Sequence, residues 1–276
     1  MFLRLRFVIT LAIAIGATSF AAVGQTVTAE TKAPEKAEEK KQAKASKDAA
    51  KPVTAEQVVE SSIVVYAFPG GRETLNQIRK TAVERGKISL TNAEGKVDQA
   101  SYQRYTMRGA SLSKEKIRLD QEFPTARYAL VFNDDKVFGI YNNAVFTPRD
   151  DATRAFQNQL VFNIDSYLRY KENESTVALA GREKQMGVDY YLIDVTDKQS
   201  RKMRFYISAK TFRVMMIEYE DAGVKYKRRF YNYNYAQGTL VPYRTVLYAN
   251  DKIVEETEIG TVTYGQKMDE NLFAAG

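Results

Sequence analysis

The sequence predicts a mainly β domain of the α+β class: an antiparallel sheet of about 11–12 strands that curls toward a barrel, accompanied by three helices. Two observations carry this. Beyond Gly86, apolar residues alternate with a period of two, in short runs rich in Tyr, Phe, Val and Ile. Those runs recur roughly every ten residues with Asn, Asp and Gly between them, which is the spacing of an antiparallel meander.

The chain opens with a targeting signal. Arg4 and Arg6 precede the apolar run Phe7–Ile15, and small residues follow to Gly24. This is the charged head, apolar core and small-residue exit of a secretory signal peptide, residues 1–24, with cleavage expected after Gly24. Cleavage after Ala21 also fits the small-x-small rule. No cysteine follows to carry a lipid anchor. Residues 25–52 are an Ala-, Lys- and Glu-rich linker with seven Lys against five acids and no aromatic residue. Such a segment has too little apolar surface to offset the entropy of ordering it and reads as a disordered tether. The folded domain is then 53–276.

Thr54-Ala55-Glu56-Gln57 fits a capping box, and Val58, Val59, Ser62, Ile63 and Tyr66 follow at helical spacing. Pro69-Gly70-Gly71 ends that helix. A second helix is expected over 73–84, with Leu75, Ile78 and Ala82 on one face and Gly86 closing it. Strands are expected at 87–91, 101–107, 114–122, 128–132, 137–141 and 144–146. One helix interrupts at 151–170, where Phe156, Leu160 and Ile164 share a side and Asp150 and Asp151 suit its N-terminus. Strands resume at 177–179, 188–195, 202–208, 212–219, 225–233, 240–248 and 254–264.

Several strands are apolar on both faces. In 188–195 one set is Val188, Tyr190 and Leu192, and the other is Tyr191, Ile193 and Val195. A sheet with one wet face alternates more cleanly, so either helices cover the second face or it lines a lumen. Alternation selects Tyr191, Ile193, Phe205, Ile207, Val246 and Tyr248 as ligand-contacting lumen residues. Tyr231, Tyr233 and Tyr235 are expected to share one face, and the basic cluster Lys225, Lys227, Arg228 and Arg229 reads as a solvated strand edge.

Composition narrows the function classes. The formal charge is +7, and removing Arg4 and Arg6 with the leader leaves +5. Basic residues are spread among acids rather than gathered on one face, so nucleic acid is not an expected partner. His and Cys are both absent, which removes Ser-His-Asp and Cys-His nucleophiles and most zinc, haem and copper sites. The carboxylate pairs Glu218/Glu220 and Glu256/Glu258 lie at i, i+2 on strands and read as surface charge. The expectation is a binding protein rather than an enzyme, with no catalytic residue, metal or cofactor.

Ordered motifs carry a family resemblance. They are Gly70-Gly71-Arg72-Glu73-Thr74-Leu75, Lys114-Glu115-Lys116-Ile117-Arg118-Leu119-Asp120, and Gly187-Val188-Asp189-Tyr190-Tyr191-Leu192. Phe205-Tyr206-Ile207-Ser208, Gly238-Thr239-Leu240-Val241-Pro242 and Asp269-Glu270-Asn271-Leu272-Phe273 follow. Over about 54–273 the chain resembles the bacterial outer-membrane lipoprotein-sorting family, the LolA/LolB-like group. The resemblance implies an incomplete antiparallel β-barrel with lid helices. It implies a periplasmic binding or carrier protein for lipoprotein acyl chains or another apolar ligand, held in the concave face. A lipid or an acylated lipoprotein is then the partner, with transient membrane contact. An envelope sensor or protein-interaction module on the same scaffold, contacting an envelope protein, is the alternative. The family's lid-locking arginine has two candidates, Arg72 and Arg118, and Phe138 or Tyr141 stands in for a family tryptophan.

Overall fold

A computed structural model describes residues 52–275 of the 276. The expected signal peptide and all of the linker but Pro52 lie outside them.

Helix α1, Ala55–Tyr66, starts as its sequence requires. The Gln57 amide donates to Thr54 Oγ1 at 3.2 Å, and the Thr54 amide donates to Gln57 Oε1 at 2.9 Å. Its buried stripe is Ala55, Val58, Val59, Ser62, Ile63 and Tyr66. Helix α2, Gly71–Ile78, is shorter than the 73–84 expected. The chain is already in strand β1 from Thr81 to Thr91, and Gly86 lies inside that strand rather than closing a helix. There the pairing register with the last strand shifts, and a Cβ would sit 2.1 Å from the Glu258 carbonyl oxygen. The glycine therefore marks a bulge where two backbones approach closely, which the helical spacing of Leu75, Ile78 and Ala82 concealed.

The remaining strands are β2 (Val97–Met107), β3 (Lys116–Glu122), β4 (Arg127–Asn133), β5 (Lys136–Tyr141), β6 (Ala144–Phe146) and β7 (Thr176–Gln185). They continue through β8 (Val188–Thr196), β9 (Lys202–Ser208), β10 (Val214–Asp221), β11 (Val224–Ala236), β12 (Thr239–Ala249) and β13 (Lys252–Tyr264). Thirteen strands, one for each expected segment and above the expected total of about 11–12, form one antiparallel sheet in the order β6-β5-β4-β3-β2-β1-β13-β12-β11-β10-β9-β8-β7. The sheet is open, with β6 and β7 as its two edges. The chain leaves one edge at Phe146 and rejoins the other at Thr176, so the segment between must cross the whole sheet. That segment carries two helices, not one: α3 (Asp150–Val161) and α4 (Ile164–Leu168). The Asn163 side chain makes the break, accepting from the amides of Asp165 at 2.8 Å and Ser166 at 3.2 Å.

The crossing fixes which sheet face is inside. One core packs α1 and α4 with Tyr191, Ile193, Val195, Phe205, Ile207, Ile217, Phe230 and Leu247. A second packs Phe156 and Leu160 of α3 with Ile88, Tyr102, Ile117, Leu119, Leu130 and Phe132. The outer face carries a small cluster of Leu192, Tyr206 and Met216, edged by Tyr190. At β3 and β4 it is covered by a C-terminal turn whose Phe273 is fully buried. Arg118 donates to the Leu272 carbonyl there at 3.2 Å. The apolar residues on both faces of β8 thus have two explanations: helices on one side, a surface cluster on the other.

Candidate functional site

The inner face between the two cores is not filled. A cavity of about 200 Å³ lies there, bounded by α3, α4 and the central strands of the sheet. Its apolar wall includes Ile117, Leu160, Ile164, Phe230, Val241 and Val262. Its polar wall is charged: Arg79, Arg104, Arg108 and Arg228 with Glu84, Glu115, Asp165 and Glu255.

Buried charges need partners, and two networks provide them. The first ties α4 to the sheet. Arg79 donates to Asp165 Oδ1 at 2.9 Å, Thr239 Oγ1 at 2.9 Å and the Leu240 carbonyl at 2.8 Å. Arg108 pairs with the other Asp165 oxygen, and Arg169 pairs with Glu115. Burial pushes the Asp165 carboxyl up, but Arg108 and Arg79 outweigh it and hold that carboxyl well below the usual range. Burial also pushes the Glu115 carboxyl up, and there Arg108 and Arg169 do not fully compensate. The second network ties α3 to the sheet. Gln159 receives a bond from Arg104 at 2.8 Å and donates to Glu255 at 3.0 Å. Glu255 in turn accepts from Arg228 at 3.3 Å.

Tyrosines fasten α1 and α4 on the second arm of the sheet, β7–β12, with β1–β6 as the first arm. Tyr167 stacks on Phe205 with centroids 5.0 Å apart and shares a hydrogen bond of 2.9 Å with Ser62. Tyr66 meets Tyr233 hydroxyl to hydroxyl at 3.0 Å, and burial pushes the Tyr66 phenol up to about 12. Arg72 of α2 donates to the Leu168 carbonyl at 3.0 Å and to Glu172 at 2.9 Å.

The expected lumen residues divide between the two faces. Tyr191, Ile193, Phe205 and Ile207 come together on the inner face, buried beneath α1 and α4. Val246 and Tyr248 do not join them. In the β11–β12 register Val246 faces Arg229, and Leu247 faces Arg228. Leu247 packs in the inner core, so its neighbours Val246 and Tyr248 point outward. Arg229 lies over the Tyr248 ring at 5.9 Å on that outer face. The six therefore do not line one lumen; a choice one residue out of phase inverts every side chain of a strand.

Other expectations fail for similar reasons. Asn232 adopts φ 54°, which breaks the alternation of β11. Tyr233 and Tyr235 reach α1 through Tyr66 and the Val65 carbonyl, whereas Tyr231 sits under Arg244. The basic cluster at 225–229 is not at an edge, because β11 pairs with both β10 and β12. Of the two candidate latch arginines, Arg118 lies on the outer face with the C-terminal turn, and Arg72 reaches α4. Arg79, Arg108 and Arg169 were missed. Their signal was an arginine in a run otherwise helical or apolar, which sequence alone leaves unpaired.

One further inner-face feature is apolar and open. Tyr128, Tyr141, Ala144, Val145 and Phe146 line a hollow of about 330 Å³ at the β6 edge. The Phe146 ring lies against Gly139, where a Cβ would come within 2.2 Å of it. Gly139 pairs with Leu130, a residue of the core under α3, so the hollow prolongs that core to the rim.

No protein-family model matches the sequence, nor does any curated protein sequence. Solved structures do match. A DUF1329 family protein from Desulfovibrio piger is 14% identical with TM-score 0.59, covering 80% of this chain and 97% of that one. A LolA superfamily protein from Nitrosomonas europaea is 14% identical with TM-score 0.56, covering 81% and 98%. A domain from Vibrio parahaemolyticus assigned to outer membrane lipoprotein sorting is 15% identical with TM-score 0.51, covering 79% and 97%. The chain has the LolA-like fold: an open, mainly β half-barrel with helices across its inner face.

Proposed function

We propose that this protein is a periplasmic carrier for an apolar ligand, of the lipoprotein acyl-chain class, bound on the inner face of the half-barrel beneath α3. The observation that carries the reading is the place of α3 between an unfilled cavity and an open apolar rim. It buries Phe156, Leu160 and Val161 and is held by hydrogen bonds of Asn158 and Gln159. Burying three such side chains contributes about 4.5–9 kcal/mol. A 14-carbon acyl chain gains on the order of 10 kcal/mol before association costs, at about 0.8 per CH₂. The two are of similar size, so an acyl chain can exchange with α3 on the sheet. The partly open cavity of about 200 Å³ would hold the start of such a chain, and displacement of α3 would lengthen the apolar track for the rest. Lipoprotein sorting in the description of the Vibrio parahaemolyticus domain supports the ligand class. The signal peptide read from residues 1–24 supports the compartment, with a mature N-terminus at Gln25.

Native mass spectrometry of the protein purified from the periplasm, followed by lipid extraction, tests this. Stoichiometric lipid or acylated peptide is expected. A protein that emerges empty and takes up no fluorescent fatty acid would refute it.

A further inference from the structure

A second cavity, of about 350 Å³, lies on the other side of α3 from the central one, where the two arms of the sheet approach each other. The first arm brings Ser111, Ser113 and Asp135, the last in the β4–β5 turn, and the second arm brings Lys198 and Gln199 of the β8–β9 turn. Its rim is polar, but its floor is apolar: Leu112, Phe132, Leu160 and Val161. Leu160 also stands in the apolar wall of the central cavity, beside Ile117. It is the one residue that lines both.

Helix geometry makes Leu160 a partition. On α3, Gln157 and Val161 line the second cavity, while Gln159 and, past the helix end, Asn163 line the central one. At about 100° per residue Leu160 falls between those two sets. Beneath it the sheet passes from one cavity to the other within a single cross-strand pair. Ile117 of β3 borders the central cavity, Phe132 of β4 borders the second, and the two stand directly opposite in the register. Leu160 is 6% exposed and packs in one core with both. Apolar surface therefore continues on either side of it, and removing its side chain joins one apolar floor to another.

We infer that Leu160 sets the length of acyl chain the protein prefers: the chain fills the central cavity as far as Leu160, and the cavity between the arms is the space into which a longer chain extends. This rests on the carrier reading and gives that site its length limit. A longer chain must push Leu160 aside, and α3 with it, so each carbon beyond the partition gains apolar burial but loses packing that Leu160 made. Affinity then stops rising with length at the point where the chain meets Leu160.

The test uses the purified full chain and straight-chain fatty acids from octanoate to octadecanoate, each below its micelle-forming concentration, with binding read by displacement of a fluorescent apolar dye. In the unaltered chain affinity should rise about four-fold per CH₂, the factor that corresponds to about 0.8 kcal/mol, and then level off. Leu160→Ala should move that break to a longer acid. A general loss of stability would weaken all lengths alike; only loss of a partition moves the break. Adding Ser113→Phe, which fills the second cavity from its exposed rim, should move the break back. If Leu160→Ala fails to fold, Leu160→Val carries the same comparison with a smaller move. A break that stays in place in the Leu160 variants, or affinity that rises without a break in the unaltered chain, overturns the inference and leaves the carrier reading standing. A break that moves with Leu160→Ala but ignores Ser113→Phe overturns the assignment of the second cavity. Failure of every acid to bind overturns the inference and the carrier reading together.

Discussion

Phe156 offers the sharpest test of whether α3 is a cover rather than part of the fixed core. Its side chain is 2% exposed and packs between α3 and the first arm of the sheet. Phe156→Ala should weaken that docking by about 3 kcal/mol or more, the lower end for a buried Phe truncated to Ala. If α3 opens alone, this cost falls on the opening equilibrium, and the open population rises by about two orders of magnitude. Hydrogen exchange of the amides around 156–162 should accelerate by that factor. Apparent affinity for an acyl ligand should tighten, because the binding-competent state is less rare. The melting temperature should move little. Phe205→Ala provides the contrast, since Phe205 is fully buried beneath Tyr167 and should lower global stability by about 3–5 kcal/mol. Equal losses of melting temperature in the two variants, with exchange at α3 no faster than elsewhere, would refute the reasoning and make α3 part of one cooperative core.

Other perturbations separate the parts of the site. Arg79→Met should cost about 3–5 kcal/mol in denaturant unfolding, because it leaves one Asp165 oxygen, the Thr239 hydroxyl and the Leu240 carbonyl without their donor. Asp165→Asn should be destabilising at pH 7, with the gap to the unaltered protein closing as pH falls below about 4. The sign follows from its depressed carboxyl: the stability it contributes is present above the ordinary value and lost as acid protonates the folded state. Gly139→Ala should dislodge Phe146 and cost about 1–3 kcal/mol. A spectroscopic change at the β6 edge, with the second arm unaffected, would check it. Tyr248→Ala should leave ligand affinity unchanged, since Tyr248 lies on the outer face, and a large loss of binding would contradict that placement.

Local rules made much of this chain legible. The Thr54 capping box, the buried stripe of α1, the hairpin turns and the strand-rich remainder follow from backbone chemistry acting over a few residues. They point to an antiparallel sheet with helices, and they place Tyr191, Ile193, Phe205 and Ile207 on one face, where the structure packs them in the core under α1 and α4 rather than on the cavity wall. Tertiary contacts decided the rest. Whether Gly86 ends a helix or sits in a bulge depends on Glu258, more than 150 residues away. Which face Val246 and Tyr248 present depends on the β11 register, and which face Tyr231 presents depends on one positive-φ residue, Asn232. The charged cavity was the least visible feature. Arg79, Arg104, Arg108, Arg169 and Arg228 come from five separate elements or loops, and their partners lie up to 161 residues away. Periodicity reports which residues can be buried by their own element. It carries no information on which distant charge will meet them, because that pairing exists only once the sheet has curled and the chain has crossed it.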